Sequence, residues 1–153
     1  YISDEVVTAF GRCGSWFASE EVFGIEPDIV TFAKGITSGY IPLGGYAVSD
    51  RLLKEVTEKS PEDSTLSNGF TYSGHPVSCA VALTNIKIFE DDKILEHVKE
   101  IIPYFAEKLK KLSEMKIVKE VRTVGMLAAV ECHSSDKAAE KLGLIIVRRN
   151  ASK

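Results

Sequence analysis

The sequence has no excess of either charge, few cysteines and histidines, and no long apolar run. Across 153 residues, 19 basic side chains face 22 acidic ones, a formal net charge of −3. The densest basic cluster, Lys108-Leu109-Lys110-Lys111, is too small an electrostatic footprint for nucleic acid or an anionic membrane. No apolar stretch approaches the roughly 20 residues of a membrane span, and no charged-then-apolar leader opens the chain. Cys13, Cys79 and Cys132 are far apart and show no Cys-x-x-Cys spacing. That usage is expected of reduced thiols in a cytoplasmic protein. His75, His97 and His133 lie in separate segments at no metal-ligand spacing, so no metal site is expected.

What the chain does have is one unusual stretch, Pro27 to Tyr46. It opens with Pro-Asp and an apolar run, Ile29, Val30, Phe32 and Ala33, the pattern of a short buried strand. Lys34 closes that run and Gly35 follows at once. An ammonium at the end of a buried strand is costly to desolvate unless it is paired or neutralised. One chemical use fits the position: an amine held in an apolar site is a nucleophile that forms a Schiff base with an aldehyde. Gly39, Gly44 and Gly45 then let the backbone turn tightly and pass close to a ligand.

The block Asp28-Ile-Val-Thr-Phe-Ala-Lys34-Gly-Ile-Thr-Ser-Gly-Tyr-Ile-Pro-Leu-Gly-Gly45 strongly resembles the Schiff-base lysine segment of class III (omega-amino acid:pyruvate type) aminotransferases. These are pyridoxal phosphate enzymes of fold type I. Two more blocks agree in order and spacing: Asp4-Glu-Val-Val-Thr-Ala-Phe-Gly-Arg12 upstream and Gly69-Phe-Thr-Tyr-Ser-Gly-His-Pro76 downstream. The resemblance implies an α/β chain holding part of the large-domain sheet and part of the small carboxy-terminal domain. Members of the family are much longer, so a fragment is expected, inactive by itself.

Along the chain, residues 1–7 read as the end of a strand with Asp4 near its carboxyl end, followed by a Gly-punctuated loop and a short apolar stretch, 16–23. After a strand expected at 45–48, Ser49 is a good N-cap for a helix beginning at Asp50. Pro76 suits a first helical position. The residues after it are apolar nearly all round, so that helix is expected to be buried against the sheet or a subunit partner. From Ile94 the apolar spacing becomes amphipathic, with Pro103 placed to kink the helix. Strands at 117–121 and 126–130 flank Gly125. A helix is expected over 135–142 and a last strand over 144–147. The change of pattern near residue 92 predicts two units, 1–92 in the large domain and 93–153 in the small one.

Pyridoxal 5′-phosphate chemistry needs an amine, a group that keeps the ring nitrogen protonated, a phosphate anchor and a grip on the substrate. Lys34 supplies the amine and is placed to act as general base and then acid. Asp4, at a strand end, is the candidate partner of the pyridinium nitrogen. Thr71 precedes a helix start, where anions gather. The resemblance implies that it donates to the cofactor phosphate of a neighbouring subunit in a homodimer, and that Val6 packs on one face of the ring. Arg148 is the candidate for a substrate carboxylate, since a guanidinium fork binds one bidentately. Arg149 beside it is a second possibility, and Asn150-Ala151 departs from the Gly-Asp usual after that arginine. Arg12 is read as ordering its loop, and Trp16 and Tyr40 as core or interface. The activity implied is transfer of an amino group from an amine or omega-amino acid to a 2-oxo acid, typically pyruvate. Decarboxylase or aminomutase chemistry on the same fold, or a non-catalytic α/β module, are the alternatives.

Overall fold

The structure, a computed structural model, describes residues 1–65 and 70–133. Three short strands form one sheet in the order β1 (Ile2–Asp4), β2 (Ile29–Phe32), β3 (Gly45–Val48). β1 and β2 run parallel with Asp4 opposite Thr31, while β3 is antiparallel to β2 with Gly45 opposite Phe32. A parallel pair needs a crossover, and the loop 5–17 with the short helix α1 (Ala18–Glu21) supplies it. A 3-10 turn, Lys34–Thr37, leaves the end of β2. Helix α2 (Asp50–Lys59) follows β3; Ser49 caps it by accepting from the Leu52 N–H at 3.3 Å. Helices α3 (Pro76–Asp91) and α4 (Ile94–Lys110) come next, and then the hairpin of β4 (Val118–Val124) and β5 (Leu127–Cys132).

Alternation along β1 and β2 sorts their side chains between two faces. On one face, Phe32 meets Phe10 and Phe17 edge-on, with ring centroids 5.9 and 6.0 Å apart. Phe10 also meets Trp16 at 6.1 Å, and Trp16 meets Phe89 of α3 at 5.6 Å. Ala9, Phe10, Ile36 and Ala82 form the buried centre of this cluster. Aromatic rings supply much of a small core's apolar burial, and here they tie the crossover loop, β2 and α3 into one body. Gly35 is needed for that closeness, because a Cβ there would sit 2.7 Å from the Cβ of Phe10.

The hairpin joins this body through its turn. The Met126 N–H donates to the Arg12 carbonyl at 2.7 Å, a bond between the hairpin turn and the crossover loop. Gly125 has φ +56, and a Cβ on it would fall 2.5 Å from the Cys13 Cα and 2.6 Å from the Arg12 oxygen. Both obstacles are backbone, which cannot step aside as a flexible side chain does. Gly125→Ala is therefore expected to cost about 2 kcal/mol through overpacking and left-handed strain. A urea midpoint unchanged from the parent protein would contradict that contact.

α3, expected to be buried against the sheet or a subunit partner, buries Ser78 and Ala82 within this chain, while Val77, Leu83 and Ile88 are exposed. Only one side of α3 lies against the Lys34–Thr37 turn and the aromatic cluster, and the described residues leave its other sides open. α4 continues through Pro103 from Ile94 to Lys110. The helix expected over 135–142 and the strand over 144–147 lie outside the described residues. No described helix is long and apolar enough to cross a membrane.

Candidate active site

Asp4 and Lys34 both emerge at the carboxyl end of the β1–β2 pair. In parallel α/β sheets that edge is where ligands bind. Asp4 is the last residue of β1, opposite Thr31, and Lys34 lies three positions beyond Thr31. β2 ends at Phe32, and Lys34 opens the turn two residues further on. Oδ1 of Asp4 accepts from the Val6 N–H at 3.1 Å and from the Thr31 hydroxyl at 3.5 Å. Those bonds orient the carboxylate without neutralising it. Val6, half-buried, follows on the same loop.

Lys34 is exposed rather than held in an apolar site, and β2 is half-buried along its length. Among the described residues its amine makes no hydrogen bond or ion pair. Its backbone lies in the left-handed region at φ +47, as does that of Ser38 at φ +48. Left-handed backbone is uncommon for a residue with a side chain and concentrates where geometry matters for function. The turn is anchored from below by Ile36 and Thr37, both buried, and the Thr37 hydroxyl donates to the Ile41 carbonyl at 2.7 Å. Thr71 is exposed in the turn that leads to Pro76 and α3. Tyr40 is exposed too, whereas Trp16 belongs to the aromatic cluster. Arg148 and Arg149 lie outside the described residues.

The sequence reading missed Glu5. It faces opposite to Asp4, is 1% exposed, and its carboxylate gathers four donors. The Ala18 and Ser19 N–H groups donate at 2.8 and 2.6 Å, the Thr8 hydroxyl at 2.6 Å, and the Ser19 hydroxyl completes the set. Burial alone would raise the Glu5 pKa, but the hydrogen bonds outweigh it and hold the carboxyl below its ordinary value. Glu5 thus fixes the crossover loop against the start of α1 and holds the end of β1, where Asp4 sits. Its signal was the pair Asp4-Glu5 itself, since alternation must send one carboxylate inward when the other faces out.

The model of the family described as aminotransferase class-III matches residues 1–150. The chain belongs to the class III aminotransferases. It is 46% identical over 142 residues to putrescine–pyruvate aminotransferase of Pseudomonas aeruginosa, covering 92% of this chain and 30% of that protein. It is 45% identical over 131 residues to the chloroplastic gamma aminobutyrate transaminase 3 of Solanum lycopersicum, covering 86% and 25%. Among solved structures it is similar to a thermostable (S)-enantioselective omega-transaminase from Thermomicrobium roseum, with TM-score 0.78 and 45% identity over 90% of this chain and 30% of that one. A taurine:2-oxoglutarate aminotransferase from Bifidobacterium kashiwanohense, solved with PLP and glutamate, matches with TM-score 0.78 and 31% identity, covering 97% and 36%. The fold is therefore that of a type I transferase, and the chain spans about 30% of the length of such relatives.

Proposed function

We propose that the protein containing this class III segment is a pyridoxal-phosphate-dependent aminotransferase. It moves an amino group from an amine or omega-amino acid to a 2-oxo acid, typically pyruvate. One observation carries the reading. A lysine amine with no partner among the described residues and an oriented, un-neutralised carboxylate stand at the carboxyl ends of two adjacent parallel strands. That donor set fits the cofactor's needs: an amine to tether it and a negative charge for its ring nitrogen. When bound, pyridoxal 5′-phosphate supplies an electron sink and a carbon that accepts the amino group.

The chain's own residues do the rest. Lys34 Nζ would tether the cofactor; once the substrate amine has displaced it, the freed amine would take the proton from the substrate Cα as general base and pass it on as acid. The Asp4 carboxylate holds a proton on the ring nitrogen by its charge. Val6 would pack against one ring face. Thr71 donates to the phosphate held by the neighbouring subunit of a homodimer. Arg148 grips the substrate carboxylate. Residues 1–92 belong to the large domain and 93–153 to the small one. The three free cysteines suit a reducing, cytoplasmic setting.

The test is borohydride reduction of the cofactor-loaded parent protein followed by peptide mapping, with the label expected on Lys34. Keto acid should be consumed one-for-one with amine, and carbon dioxide release without keto acid uptake would point to a decarboxylase. Asp4→Asn keeps size and loses the charge. It is expected to slow turnover about a hundredfold, roughly 3 kcal/mol of barrier, with cofactor still bound. Near-parental turnover in that variant would make Asp4 structural.

A further inference from the structure

Asn85 sits in the middle of α3, between Thr84 and Ile86. Asparagine is a poor helix former because its side chain competes for backbone partners. Here those partners belong to another element. The Asn85 Nδ2 donates to the carbonyls of Gly35 at 2.9 Å and Ile36 at 3.1 Å, and Oδ1 accepts from the Ser38 hydroxyl at 2.8 Å. Two carbonyl acceptors on one side fix which way the amide faces. The same turn is closed by Ser38 N–H to the Gly35 carbonyl at 3.1 Å and Gly39 N–H to the Lys34 carbonyl at 3.2 Å. The Gly35 carbonyl therefore serves both the turn's own closure and the grip from α3.

Lys34 needs such a grip more than an ordinary loop residue does. With no side-chain partner among the described residues, the Lys34 amine is placed only by its backbone. That backbone is left-handed at residues 34 and 38, a conformation that relaxes unless its surroundings hold it. Carrying a proton between two atoms demands placement to a fraction of an ångström, and an error of about 1 Å can cost a hundredfold in rate.

We propose that Asn85 is a positioning residue for Lys34. It clamps the left-handed turn so that the amine leaves the end of β2 in one direction. It also ties that turn to the helix preceded by Thr71. The proposal rests on the assignment of Lys34 as the cofactor lysine.

The experiment uses the full-length protein with Asn85→Leu, which keeps the bulk and removes all three bonds, and Asn85→Asp, which leaves only acceptors. In the cofactor-free protein, amide hydrogen exchange at Ser38 and Gly39 should quicken about tenfold, with the amides of α2 unchanged. In the loaded protein, kcat should fall about 30-fold while the amine KM stays within about threefold. Borohydride should still label Lys34. Ser38→Ala, which removes a single bond, should show the same pattern at about threefold. Should Asn85→Leu not accumulate as folded protein, Asn85→Asp and Ser38→Ala carry the same readouts. Exchange and kcat within twofold of the parent would overturn the clamp while leaving Lys34 as the tether. A label on another lysine in the parent protein would overturn the Lys34 assignment, and the clamp with it.

Discussion

Lys34→Ala in the parent protein is expected to lower turnover by about 10⁴-fold or more, roughly 5 kcal/mol of barrier, while leaving stability almost untouched. The two effects separate because of where Lys34 stands. Its side chain is exposed. The left-handed φ of +47 is no worse for alanine than for lysine, so no strain is added. A surface change of that kind stays within about 0.5 kcal/mol. The chemistry, by contrast, loses both the tether and the proton carrier. Parallel melting curves with collapsed turnover are the expected outcome, and turnover within tenfold of the parent would refute the role given to Lys34.

The second large effect is on stability. Glu5→Ala is expected to cost about 4 kcal/mol, because it strands two buried N–H groups and two hydroxyls that now share one carboxylate. The dependence on pH follows from the direction of the shift. The folded Glu5 carboxyl is held below its ordinary value of 4.5. Its contribution is therefore complete above that value and is lost as the pH falls below it, through the lowered folded pKa. Glu5→Gln cannot titrate and should show a flatter stability profile across that acid range. Urea unfolding of both variants and the parent at neutral and acid pH measures this. Equal acid slopes in Glu5→Gln and the parent would remove Glu5 from the account.

Features signalled within a few residues were legible in the sequence. Pro-Asp before an apolar run marked β2, Ser49 before Asp50 marked the start of α2, Pro76 marked α3, and Gly125 between two alternating runs marked the hairpin. The strand-end positions of Asp4 and Lys34 were legible for the same reason. What the sequence did not disclose depends on partners distant along the chain. The donors that Glu5 serves, on Ala18 and Ser19, are 13 and 14 residues away. The carbonyls that Asn85 serves are 50 and 49 residues away. The all-round apolar character of α3 signals burial, but composition does not say whether the sheet or a partner subunit covers each face. The exposure of Lys34 escaped notice for the same reason, since an apolar strand implies cover without supplying it.

The grip of Asn85 on the turn also bears on the order in which the chain assembles. The β4–β5 hairpin closes across a two-residue turn between Val124 and Leu127, so its loop entropy is small. The bond from Asn85 to Gly35 closes a loop of 50 residues, and each doubling of a flexible loop adds about 0.6 kcal/mol to the entropic cost of joining its ends. Contacts that span long separations slow folding because that cost precedes any reward. The conformation proposed for Lys34 therefore rests on a non-local contact, made only once α3 has docked on the turn that leaves β2.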